Sequence, residues 1–93
     1  MSEYVTVETQ ATDDPNVLEM VTNMTLAPDG DEVYSSFEDG DEGSPIAQML
    51  FNGVRGILAL TITTHSLLIT RDPDVPWEEI ADEVRDALRD FFL

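Results

Sequence analysis

Cysteine is missing from all 93 residues, and with it goes every chemistry that needs a thiol. No disulfide, thiolate nucleophile or thiolate metal site can form within this chain. Lysine is missing too. The only fixed cations are four arginines, set against twenty Asp and Glu, for a formal charge of -16 at pH 7. That balance excludes nucleic acid as a partner, because binding it depends on Lys and Arg neutralising phosphates. No apolar run approaches the roughly 18 residues of a membrane span. Met1-Ser2-Glu3-Tyr4 lacks the positive start and apolar stretch of a secretion signal. The expectation is a cytoplasmic protein with no membrane contact. Histidine occurs once, at His65, so no pair of imidazoles exists to share a metal ion or a proton.

What is present fits one domain over residues 1–93 with one core. A chain this short buries about 60–65% of the surface its unfolded form would expose. Self-repulsion among the carboxylates destabilises the compact state at low salt, a lever that halophile proteins use. The composition therefore points to a salt-loving source.

Residues 44–56 are the most informative stretch. Ser44 suits a helix cap, Pro45 the first helical position, where no donor is needed, and Gly53 a left-handed exit. Ile46, Met49 and Leu50 then form one buried stripe, widened by Phe51. Earlier in the chain, Tyr4 to Thr9 alternates and is β-branched, and Val17 to Leu26 is long enough for a second strand. Val33 to Phe37 reads as a short extended piece. Glu38 to Gly43 reads as a mobile acidic loop with no apolar anchor. Val54–Thr63 and Ser66–Thr70 are strand-like, with a hairpin turn at Thr63-Thr64-His65-Ser66. Trp77, Ile80, Val84, Leu88 and Phe91 recur at helical spacing. Glu78 and Glu79 stand at the positive end of that helix and Arg85 and Arg89 towards its negative end. The order β-β-α-β-β-α predicts an α+β two-layer sandwich: an antiparallel sheet with two helices on one face.

Ser44-Pro45-Ile46-Ala47, then Leu50-Phe51, then Gly53-Val54 resembles the N-terminal domain of the NifU/Nfu iron–sulfur scaffold proteins, which show Ser-Pro-Leu-Ala, Leu-Phe and Gly-Val in that order. Pro15-Asn16 with Leu18 and Met20 is similar to the family's Pro-Asn segment, with Glu19 in place of a usual Lys. Leu68-Ile69-Thr70-Arg71-Asp72 is similar to its strand ending in a basic residue, and Trp77 with Phe91-Phe92 to its Trp helix. The span from Gly53 to Asp72 is longer than the family pattern, and Ser66 falls where a Phe is common. Full scaffolds add a second domain with a Cys-x-x-Cys cluster site, which these residues lack. The resemblance therefore implies a non-enzymatic accessory or protein-interaction module of cluster assembly, unable to ligate a cluster by thiolates itself.

No catalytic set can be assembled. His65 reads as an exposed turn residue, Ser44 and Ser66 lack a partnering base, and Gly53-Val54-Arg55-Gly56 lacks the glycine pattern and Lys of a phosphate loop. Asp39-Gly40-Asp41-Glu42 misses the calcium-loop pattern, since Ser44 stands where Gly is needed and Leu50 where the bidentate Glu is needed. No cofactor is expected. Four residues are the candidates for partner binding. Arg55 and Arg71 stand out because cations are scarce, Trp77 because it is amphipathic, and Phe92 because the terminal apolar tail needs a place to go. The expected partner is a protein, cluster-bearing or of cluster assembly. The alternative is a cation-responsive regulatory domain using the acidic loop 38–43.

Overall fold

In a computed structural model of the chain, residues 5–92 are described. The elements run β1 (Val7–Ala11), β2 (Val17–Thr22), β3 (Glu32–Tyr34), α1 (Phe37–Asp41), α2 (Pro45–Gly53), β4 (Ile57–Ile62), β5 (Ser66–Arg71) and α3 (Trp77–Phe92). The five strands form one antiparallel sheet in the order β1-β2-β5-β4-β3. The α+β architecture predicted from the pattern is the one observed. The chain order differs from β-β-α-β-β-α, because β3 and α1 occupy a stretch that reads as extended chain and loop.

The sheet sorts its side chains by the two-residue period of its strands. Met20 on β2, Leu60 and Ile62 on β4, and Leu67 and Ile69 on β5 are buried on one face. Leu60 stands opposite Ile69, and Leu67 stands between Ile62 and Met20. Two helical stripes meet this surface: Ile46, Leu50 and Phe51 from α2, and Ile80, Val84 and Leu88 from α3. A fully buried Leu or Ile of this kind contributes about 1.5–3 kcal/mol through the apolar surface it removes from water.

The α2 cap is as expected, with Ser44 Oγ accepting from the Ala47 amide at 3.3 Å. The exit is not. Gly53 stays helical, and the left-handed residue is Gly56 at φ 96°. Gly56 is also needed for space, since a Cβ there would lie 2.8 Å from the Cβ of Val75. The hairpin turn falls where predicted, and Ser66 makes a hydroxyl pair with Thr63 at 2.6 Å. His65 is exposed in that turn, with its Nδ1 3.0 Å from the Met24 carbonyl.

The acidic stretch is a correction. Residues 37–41 are a turn of helix, capped by Ser36, whose Oγ accepts from the Asp39 amide at 3.2 Å. Its anchor is a glycine. Gly40 is buried against the Phe51 ring, where a Cβ would come within 2.0 Å of a ring carbon. Absence of a side chain, which reads as looseness in the sequence, here permits close packing. Of the first predicted strand, Tyr4 lies outside the described residues, as does Leu93 of the terminal tail.

Candidate functional site

Two of the four candidate residues meet. Arg71 closes β5 and Trp77 opens α3, and the guanidinium carbon of Arg71 stands 5.3 Å from the centre of the Trp77 ring system. Arg71 Nε donates to Asn16 Oδ1 at 3.3 Å and its Nη1 to the Val75 carbonyl at 3.2 Å. Trp77 Nε1 donates to the Pro15 carbonyl at 2.9 Å. The arginine is thus held by partners inside the molecule. Together the two side chains clasp the β1–β2 turn, the end of β5 and the start of α3.

Local chemistry explains the clasp. Asp72 starts a tight turn in which its carbonyl accepts from the Val75 amide at 3.0 Å and its Oδ1 from the Asp74 amide at 2.9 Å. This turn brings the Val75 carbonyl back under Arg71. On the other side, the Arg71 amide donates to the Asn16 carbonyl at 2.9 Å, which sets the Pro15-Asn16 segment within reach of the indole.

Beside the clasp lies an open groove of about 390 Å³, between the inner face of β1 and α3. Thr9 and Leu18 form its floor on the sheet side, and Trp77 and Ala81 its wall on the helix side. Glu78, Asp82 and Arg85 border it. Arg85 reaches Asp82 at 3.4 Å, an exposed pair one helical turn apart, which adds a few tenths of a kcal/mol at most. The groove exists because α3 does not extend across β1. Thr9 faces inward beside Met20 yet stays exposed. An aromatic wall, a floor of one leucine and one threonine, and a charged rim suit a protein side chain or short segment better than a small polar substrate.

Arg55 and Phe92 lie elsewhere. The Arg55 amide donates to Glu83 Oε2 at 3.2 Å, which ties the α2–β4 turn to the outer side of α3. Phe92 is half-buried against the core and meets Phe91 edge to face at 5.0 Å. Fifteen positions of helix separate it from Trp77, about 22 Å along the axis.

The acidic stretch gathers no ligand set. Asp39 Oδ2 accepts from the Ser35 amide and Asp41 Oδ1 from the Asn52 amide group, at 3.2 and 3.3 Å. Among the described residues no group of three or more His, Cys, Asp or Glu comes together in a way that could hold a metal ion. Leu18, Ala81 and Arg85 were not singled out by sequence reasoning. The scarcity of cations pointed to Arg55 and Arg71, whereas Arg85, read only as a cation towards the negative end of its helix, is the arginine that borders the groove.

Among the described residues no helix is long and apolar enough to cross a membrane. In sequence, residues 7–93 match the family model described as scaffold protein Nfu/NifU N terminal. No curated protein matches the chain. In structure, the chain is similar to a NifU-like protein from Saccharomyces cerevisiae, solved by NMR, at TM-score 0.76 and 24% identity, over 94% of this chain and 77% of that one. It is similar also to a Staphylococcus aureus protein solved by X-ray crystallography, at TM-score 0.70 and 12% identity, over 88% of this chain and 96% of that one.

Proposed function

We propose, because the chain belongs to the scaffold protein Nfu/NifU N-terminal family, that its residues 1–93 act as a single protein-interaction domain of iron–sulfur cluster assembly. The observation that carries this reading is the family match over residues 7–93 in a sequence without one cysteine. Iron–sulfur clusters are held chiefly by thiolates, so these residues serve a cluster that another protein or domain ligates. The role is non-enzymatic and cytoplasmic, and the partner is a cluster-bearing or cluster-assembly protein.

The contact surface in this reading is the groove beside Trp77. Arg71 holds the indole in place and so acts as a positioning residue, while Trp77 and Leu18 offer apolar surface. Arg55 and Phe92 lie apart from the groove and take no part in it. The charge of -16 suits a salt-rich cytoplasm, in which screening removes most of the self-repulsion.

Affinity capture from native extract tests the proposal. The expected result is enrichment of a cluster-assembly or cluster-containing protein, lost when the exposed rim is reversed by Glu78→Lys with Asp82→Lys, changes that leave the Trp77 packing intact. Enrichment of no such protein above background overturns it. Anaerobic reconstitution with iron and sulfide gives the second check: the chain stays colourless, and a brown monomer retaining stoichiometric iron and sulfide through gel filtration contradicts the assigned role.

A further inference from the structure

The face of the sheet turned away from the helices is polar where β1 and β2 contribute Glu8, Gln10 and Glu19, as an uncovered antiparallel sheet normally is, but it turns apolar across β5, β4 and β3. Across it, Val33 stands beside Thr61, Thr61 beside Leu68, and Leu68 beside Glu19. A second row runs Ala59, Thr70, Val17. The β4–β5 register shifts between Ile57 and Ala59, and the irregularity leaves Leu58 exposed although Ile57 beside it is buried. Val33, Leu58 and Leu68 are 70%, 48% and 39% exposed, and none belongs to the core.

Charge is distributed to match. The chain is 26% charged, yet residues 57–70, which hold β4 and all of β5 except its closing Arg71, carry no Asp, Glu, Lys or Arg. Carboxylates stand at both ends of the sheet. Asp13 and Asp14 in the β1–β2 turn and Asp72 after β5 lie at one end of the sheet, and Asp29 and Asp31 before β3 lie at the other. A coat of acids serving only solubility has no reason to leave the β5–β4–β3 part of one face without a carboxylate.

We infer that this open face is a second docking surface, which takes a protein whose contact patch is apolar and bordered by Lys and Arg. It is separate from the Trp77 groove, so the domain would bridge two proteins. The rim decides the occupant. A second copy docking face to face by two-fold symmetry would set acidic rim against acidic rim, between chains of formal charge -16 each. Anionic membranes and nucleic acids are repelled by the same rim. A basic rim around an apolar centre is attracted at long range and desolvates little charge at the centre.

Site-specific photo-cross-linking in the native cell tests this, with p-benzoylphenylalanine as the probe, placed in the full chain at Leu68, at Leu58 and, for comparison, at Gln48 on the exposed side of α2. The expected result is the same heterologous protein captured at Leu68 and Leu58 and not at Gln48. Its cross-linked peptide, identified by mass spectrometry, should be apolar with Lys or Arg alongside. Glu19→Lys should abolish that product, with an unchanged melting curve showing that the variant is folded. Glu78→Lys with Asp82→Lys should leave it intact, which separates this surface from the groove. A cross-linked homodimer, a captured peptide without basic neighbours, indifference to Glu19→Lys, or no product at either sheet position overturns the inference.

Discussion

Helices α1 and α2 follow each other along the chain and each begins at a serine cap, yet they are stabilised in opposite ways. Residues 45–53 contain no charged side chain and bury Ile46, Ala47, Leu50 and Phe51. Residues 37–42 carry Glu38, Asp39, Asp41 and Glu42, and the one buried residue of α1 is Gly40. The first helix stands on the second: Phe51 covers Gly40 and meets Phe37 and Tyr34 edge to face, at centroid distances of 6.1 and 6.3 Å. Tyr34 adds a polar link, its hydroxyl accepting from the Ser44 amide at 3.2 Å and donating to Glu32. A helix of one turn is thus made by tertiary contact, and a helix of two turns by its own stripe.

Removing the shared support breaks the comparison most severely. Phe51→Ala should destabilise the protein by about 4 kcal/mol, read from urea denaturation; a loss under about 1 kcal/mol shows that the ring does not join the two helices. Gly40→Ala comes next. Alanine normally favours a helix over glycine by about 1 kcal/mol, but here overpacking against the ring should give a net loss of about 2 kcal/mol. Hydrogen exchange should locate that loss in residues 37–43 while α2 stays protected. A stabilised variant means that α1 is not seated on Phe51.

The caps sharpen the same contrast. Ser44→Ala should cost about 1 kcal/mol, and Ser36→Ala about half as much, because a helix held from outside depends less on its own first turn. Equal losses in denaturant titrations would erase the distinction. The smallest effect is that of salt. Between 0.1 and 2 M KCl the Debye length shrinks from about 10 Å to under 3 Å. Amide protection at Gly40 and Gly43 should then rise while that of Leu50 hardly moves. Equal gains in both helices would mean that repulsion is spread over the whole molecule and not concentrated in α1. Global melting should move the same way, with a higher melting temperature in molar KCl.

Legibility in the sequence followed how local each interaction is. Helix α3 and helix α2 were readable because periodicity, caps and a proline act within a few positions of one another. The β4–β5 hairpin was readable from its apolar, β-branched flanks. The three residues of β3 were not, since their pairing with β4 is long-range. Nor was α1, whose determining contact joins Gly40 to Phe51. Gly53 and Gly56 show the limit sharply: Gly53 suits a left-handed exit by its place in the sequence, yet the positive φ and the close approach to Val75 fall at Gly56, in the turn after the helix. The site was half legible. Arg71 and Trp77 stood out as rare residues, but their meeting requires Pro15, 62 positions from Trp77.

The strand order β1-β2-β5-β4-β3 also sets a timetable for the newborn chain. The β1–β2 hairpin leaves the ribosome first, at about 5–20 residues per second, but β5, the neighbour against which β2 must zip, is synthesised last among the strands. For several seconds the greasy side of Met20 has nothing to rest on. Such a delay exposes the polypeptide to misassociation, and the crowd of carboxylates in the intervening segment supplies a built-in repellent while it waits.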